Sequence, residues 1–253
     1  MPSKSSINKY LYFIKKYNIE SSDDNTDLLN SIKNISTRKL IISAILWQTN
    51  DEKIKDKYRR ILRELKIITD IQDKNHTKIH GYIPNWNDII KKRDMLDKCS
   101  RDYLILSLYT YIQPRRSTDY VDMIYVDDND ECDDKHNYYV RNTKNSFVFN
   151  NFKTVKSFHR QVIHIPNKLV DILNNYIDSN DIQIGEYILN LKDYRQLYYI
   201  LKKLVGCSVD NIRHSYISHV YKNGISDSNT IENNAYLMGH SLITHLRYRK
   251  NIM

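Results

Sequence analysis

The chain has 253 residues, with 39 Lys and Arg against 30 Asp and Glu and a formal net charge of +9. That length can bury a core in one large domain, or more naturally in a small domain followed by a larger one. The positive balance favours a polyanionic partner, because Lys and Arg contacts to phosphate release condensed counterions. No stretch approaches the ~20 apolar residues that span a bilayer, and the first residues lack a charged-then-apolar leader pattern. The expectation is therefore a soluble, intracellular protein with no membrane partner.

In chain order, the first 82 residues read as helices. Ser5 and Ser6 can cap a segment in which Ile7, Leu11 and Ile14 recur at helical spacing, and Ser36 can cap 37–49. The clearest pattern is Ile54, Tyr58, Ile61, Leu62, Leu65 and Ile68, an apolar stripe ringed by Lys55, Lys57, Arg59, Arg60 and Arg63. Arg59, Arg60 and Arg63 are candidate DNA contacts, and a solvated face explains each of them equally well. His76, Gly81 and Pro84 break the periodicity, which places a domain boundary near residue 82 and gives domains 1–82 and 83–253.

Helical pattern resumes at Trp86 and runs through Tyr103, Leu104, Leu106, Leu108 and Tyr111 until Pro114. Then the period changes. Residues 123–126, 137–143, 146–152 and 161–165 are short runs rich in Val, Ile, Phe and Tyr, and they predict a small antiparallel sheet. The acidic run 127–134 between the first two reads as a solvated hairpin tip. It lacks the sixth-position glycine and closing glutamate of a calcium loop. Helices return at 167–176, 192–205, 211–221 and 230–238. The expected fold class is thus mainly α with a small antiparallel sheet, an α+β second domain after a helical first one. Cys99, Cys132 and Cys207 are far apart and show no ligand spacing, so neither a metal nor a cofactor is expected.

The chemistry concentrates in the last third. It reads Asn211-Ile-Arg-His-Ser-Tyr-Ile-Ser-His, then Leu237-Met-Gly-His-Ser, then Leu246-Arg-Tyr-Arg-Lys. Upstream, an apolar helix runs into Gln113-Pro-Arg-Arg-Ser-Thr-Asp. This series resembles the tyrosine recombinase (phage-integrase) family, in which an Arg-His pair, a Gly-His-Ser and a tyrosine about nine positions on follow in this order. Taken singly, Tyr248 is one of 21 tyrosines, Arg213 a salt-bridge partner, His214 a packing histidine and Lys153 one basic residue among many. Their joint order around a sheet-then-helices frame gives the series its weight.

The resemblance implies a catalytic domain over 83–253, a helical DNA-binding domain over 1–82, and a clamp of the two on duplex DNA. Tyr248 would be the nucleophile, since a phenol can hold a phosphoryl group covalently until a DNA hydroxyl displaces it. Arg116, three positions before Asp119, and Arg213 would bind the non-bridging oxygens; Arg115 is the alternative to Arg116. Lys153, with Lys156 as runner-up, would protonate the departing 5′ oxygen. His240 would hydrogen-bond the phosphate and help orient the tyrosine. His214 is a possible supporting residue, and Arg247 and Arg249 flank the nucleophile as candidate DNA contacts.

Three features depart from the family pattern. Asp210 stands where a histidine commonly lies three positions before the second arginine. Residues 225–229 look like a short insertion. Five residues follow Tyr248, where many relatives exchange a C-terminal helix. The implied activity is site-specific recombination or integration for a mobile or viral element, as a homo-oligomer on double-stranded DNA, in the host cytoplasm or nucleus if viral. Topoisomerase-like relaxation and a non-catalytic DNA-binding relative are the alternatives.

Overall fold

Apolar periodicity near 3.6 accounts for the first part of the chain. In the computed structural model, residues 2, 4–20, 24–75, 82–142, 145–224 and 227–249 are described, apart from the side chains of 5, 70–75, 130, 247 and 249. The chain divides into two compact units, Met1–His76 and Thr77–Met253.

The first unit holds α1 (Lys4–Tyr17), α2 (Thr26–Ser31), α3 (Ile35–Gln48) and α4 (Glu52–Asn75). α3 packs against both α1 and α4 and is apolar on most of its circumference. Ile41, Ile42 and Ile45 are fully buried, each contributing roughly 1.5–3 kcal/mol. Its cap is Asn34, which accepts from the Thr37 amide at 2.9 Å, rather than Ser36. The α4 stripe buries Tyr58 and Leu65 and runs out at Ile68, which is exposed. The Tyr58 hydroxyl accepts from the Asn25 amide at 2.9 Å.

The second unit opens with α5 (Trp86–Asp94), capped by Asn85, and α6 (Arg101–Thr110), capped by Ser100. Every residue from Tyr103 to Tyr109 is buried, so α6 is the central helix of this unit. Strands β1 (Met123–Val126), β2 (Asn137–Val140), β3 (Ser146–Phe149) and β4 (Gln161–His164) follow, with the one-turn helix α7 (Val155–Phe158) between β3 and β4. The sheet order is β1-β2-β3-β4. Then come α8 (Asn167–Ser179), α9 (Tyr194–Val205), α10 (Val209–Lys222), α11 (Ser228–Leu237) and α12 (Leu242–Arg249).

One sheet expectation is corrected. β2–β3 and β3–β4 are antiparallel, but β1 pairs with β2 in parallel, so the sheet is mixed. The reason lies in burial. Phe147 and Phe149 face the main core with Tyr120 and Tyr139, while Val126, Tyr138, Val140 and Val148 form a second apolar cluster. Strands apolar on both faces need cover on both. Cys132, in the acidic connection, packs on that second cluster and Ile124 joins it. The connection is therefore a crossover that returns the chain to the starting edge, not a hairpin tip.

Candidate active site

The site begins with a helix end. α11 starts on Asp227, which accepts from the Thr230 amide, and stops at Met238 and Gly239. Gly239 has φ +62°, a left-handed conformation that suits glycine at a helix C-terminus. A helix end leaves carbonyls without intrahelical donors and carries partial negative charge. Here three successive carbonyls each take an arginine. Leu237 O accepts from Arg115 Nη1 at 2.8 Å, Met238 O from Arg213 Nη2 at 3.3 Å, and Gly239 O from Arg116 Nη1 at 3.2 Å.

The two arginines in the Arg115-Arg116 pair have different fates. Arg115 is 0% exposed; its Nε donates to Asp119 Oδ2 at 2.9 Å and its Nη1 to Gln161 Oε1 at 2.9 Å. Its guanidinium lies 3.9 Å from the Phe149 ring centroid. A Cβ on Gly239 would come within 2.8 Å of Arg115 Nη2, so a side chain there meets this packing directly. Burial pushes the Asp119 carboxyl up against the opposing pull of Arg115. Arg116 is only partly buried. Of the pair, it is the one with access outward.

The connection that carries Lys153 is tied to the same place. The Asn137 amide group donates to Asp119 O and Asn151 O, while its carbonyl accepts from the amides of Asn150 and Asn151. Thr154 Oγ1 donates to Gly239 O at 2.8 Å, the carbonyl that also serves Arg116. Lys153 itself is exposed, between these two anchors. Lys156 is exposed as well, on α7.

Ser208 caps α10, and Arg213 enters the core from its buried face. Arg213 is 0% exposed, and its Nε and Nη1 have no hydrogen-bond partner among the described residues. Its Nη2 also reaches His240 Nδ1 at 2.6 Å. Because a guanidinium only donates, His240 Nδ1 must accept and its Nε2 must carry the proton. That proton goes to His245 Nδ1 at 3.1 Å, which leaves the hydrogen on His245 Nε2 without an acceptor among the described residues. Burial, then Arg213, then the partner histidine push His240 down to about 2. Burial and Arg213 bring His245 to about 4. His240 thus uses both ring nitrogens inside the protein, and it supports Arg213 instead of facing outward.

α12 places His245 and Tyr248 three residues apart, on one helical face. The Tyr248 ring lies 4.1 Å from His214, 5.6 Å from His240 and 5.7 Å from the Arg213 guanidinium carbon. Burial raises its phenol above the usual range; Arg213 and Arg116 oppose that, and the negative charge of Asp210 adds to it. Asp210 is exposed on the first turn of α10.

The fold therefore brings Arg116, Arg213, His214, His240, Asp210 and Tyr248 into one neighbourhood, with Lys153 on a loop anchored to it. Arg59, Arg60 and Arg63 belong to the first unit and are exposed there; Arg59 pairs with Glu52 and Asp56. The side chains of Arg247 and Arg249 lie outside the described residues, as do 225 and 226 of the suggested insertion. Sequence reading missed His245, Gln161 and Asn137. Gln161 carried a signal, since it takes an inward position on a strand whose outward residues are Val162 and His164. Among the described residues no cluster of three His, Cys, Asp or Glu is placed to hold a metal, and no helix is long and apolar enough to cross a membrane.

No protein-family model and no curated protein sequence matches the chain. Among solved structures it is similar to the crystal structure of XerA recombinase, at 16% identity and a TM-score of 0.45, over 98% of this chain and 87% of that one.

Proposed function

We propose that this protein cleaves and rejoins DNA strands through a covalent phosphotyrosine on Tyr248. One observation carries the reading: Arg213 is a buried cation with two nitrogens lacking partners among the described residues, 5.7 Å from a phenol ring. A buried unpaired cation is costly, and a phosphodiester would supply the missing acceptors. In this reading Arg213 and Arg116 hold the non-bridging oxygens as charge develops. Tyr248 Oη bonds to phosphorus and the bond to the 5′ oxygen breaks. Lys153 protonates that oxygen, leaving a 3′-phosphotyrosyl link and a free 5′ hydroxyl. Ligation runs the same steps backwards on the same or another strand.

Double-stranded DNA is the proposed partner, with several copies of the chain assembling on it. The first unit would add backbone contacts through Arg60 and Arg63, which form no ion pair with the described residues, while Arg59 is engaged by its own helix. The test is a covalent adduct. The chain is incubated with a library of randomised duplexes and stopped with denaturant, and DNA attached to protein is recovered. An adduct in the native chain and none in Tyr248→Phe, at similar DNA affinity, is the expected result. An adduct at normal yield in Tyr248→Phe sinks the assignment. Supercoiled plasmid then separates strand exchange from simple relaxation.

A further inference from the structure

The loop that carries Lys153 is held on both sides of the lysine, while the lysine side chain itself is exposed. On one side the Asn137 side chain bonds the carbonyl and the amide of Asn151, each at 2.8 Å. Phe152 is buried in the main core, with its ring centroid 5.0 Å from the Arg115 guanidinium carbon. On the other side stands Thr154, the residue before α7, where a threonine oxygen ordinarily caps the helix by accepting from an amide two or three residues on. Thr154 makes no such bond. Its hydroxyl donates instead to Gly239 O at 2.8 Å, 85 positions away in the chain, and that carbonyl also takes Arg116 Nη1 at 3.2 Å.

Building on the phosphotyrosine reading, we infer that Thr154 is the positioning residue for the leaving-group acid: by tying its hydroxyl to Gly239 O, it sets the reach of Lys153 relative to Arg116. A proton passes to a departing oxygen only within hydrogen-bond distance, so a lysine on a loop needs its backbone held to whatever holds the phosphate. Gly239 O supplies that reference. Arg116, which would grip a non-bridging oxygen, and Thr154, next to Lys153, are fixed to one atom, and the spacing of phosphate and acid is thereby built into the fold. As the electron pair of the breaking bond leaves on the 5′ oxygen, the Lys153 ammonium gives that oxygen its proton. Asn137 and Phe152 tie the loop to the sheet and the core, whereas Thr154 ties it to the end of α11. Gly239 O does not need the hydroxyl for its own sake, because Arg116 already donates to it.

The experiment uses the full chain and a nicked suicide duplex taken from the adduct library. Thr154→Val, which keeps the shape and removes the hydroxyl, should slow single-turnover cleavage ~10–10²-fold, the scale for a misplaced catalytic group, at native DNA affinity and melting temperature. Thr154→Ser, which keeps the donor, should recover most of the rate. A 5′-bridging phosphorothiolate, whose leaving sulfur needs no proton, should rescue Thr154→Val and Lys153→Ala alike. On ordinary DNA the double variant Thr154→Val/Lys153→Ala should be no slower than Lys153→Ala, because a residue acting through the lysine then has nothing to position. Additive losses, or a Thr154→Val as slow on the phosphorothiolate as on DNA, would make the hydroxyl a structural bond at a helix end and overturn the inference. So would a native rate in Thr154→Val. Rescue of Thr154→Val without rescue of Lys153→Ala would mean that Thr154 positions a different acid, and it overturns the inference as well.

A DNA-free readout separates this inference from the reading beneath it. Amide hydrogen exchange over 152–158 should speed up in Thr154→Val and stay native in Thr154→Ser, since the loop and α7 lose their tie to Gly239 only in the first. Unchanged exchange in Thr154→Val means that the bond does not hold the loop, and it ends the inference even if adducts form. Faster exchange with no adduct from the native chain preserves the tie and ends the phosphotyrosine reading, and the positioning role with it.

Discussion

Two arginines, both 0% exposed and both bonded to carbonyls at the end of α11, differ in how far they are engaged: only Arg115 has a buried ion pair. Arg115 has a buried carboxylate, a glutamine oxygen, a carbonyl and an aromatic face, with only its Nη2 lacking a hydrogen-bond partner among the described residues. Arg213 has one long carbonyl contact and a histidine, with Nε and Nη1 unengaged among the described residues. A protein that only needed stability would not bury the second cation in this way, because removing a guanidinium from water is repaid only by good partners. Arg115 completes the frame, and Arg213 keeps two buried donors unengaged among the described residues, which under the proposed function an anion would fill.

The comparison breaks most visibly at Arg115. Arg115→Met leaves the Asp119 carboxylate buried without its cation and strips a donor from Gln161 and Leu237 O. Breaking one side of such a pair costs about 3–5 kcal/mol. Chemical denaturation should show that loss, and Arg115→Met/Asp119→Leu should regain part of it. Arg213→Met should cost clearly less, having no ion pair to break. Equal losses in the two single variants would erase the distinction between them.

At Arg213 the expected effect moves from folding to chemistry. Arg213→Lys keeps the charge and loses the planar fork. Its cleavage rate should fall by a factor worth about 2–4 kcal/mol, the scale for losing a donor to developing charge. Single-turnover adduct formation measures this, and a near-native rate would make Arg213 a structural arginine like its neighbour.

The sequence made the order of these residues visible because each sits in a local pattern: a helix start, a glycine-terminated helix end, a short last helix. The strand starts were legible for the same reason, and 123–126 agrees with β1 in full, while the runs expected to 143, 152 and 165 end at Val140, Phe149 and His164. Pairing direction was not, since it depends on what covers the second face of β2 and β3, and that cover is a polar, acidic segment with one cysteine. Nor could the sequence distinguish Arg115 from Arg116 by surroundings. Asp119 is local to both, but Gln161, Leu237 O and Phe149 come from 34 to 122 positions away in the chain and meet only after folding. Asn137 and His245 were invisible on the same ground. Their roles exist only relative to buried groups that local periodicity does not report.

The smallest expected effect concerns the histidine pair behind Arg213. Both have folded-state values, about 2 for His240 and about 4 for His245, below the ordinary ~6.5 of imidazole. Between those limits the unfolded chain binds protons that the folded chain refuses, so stability rises with pH. The contribution is complete above ~6.5 and is lost progressively as pH falls below it, reaching roughly 2 kcal/mol per histidine at pH 5. Because the two share a hydrogen bond, their joint effect is less than the sum. Protonating His240 at Nδ1 would set a donor against Arg213 Nη2, so the acid loss loosens the arginine as well as the fold. His245→Gln removes one titrating ring while leaving an oxygen able to accept from His240 Nε2. The fall in melting temperature between pH 8 and pH 5 should therefore shrink by about one histidine's share. If His245→Gln falls as steeply as the native chain, His245 is already free to take up a proton when folded, and the buried relay behind Arg213 does not exist as described.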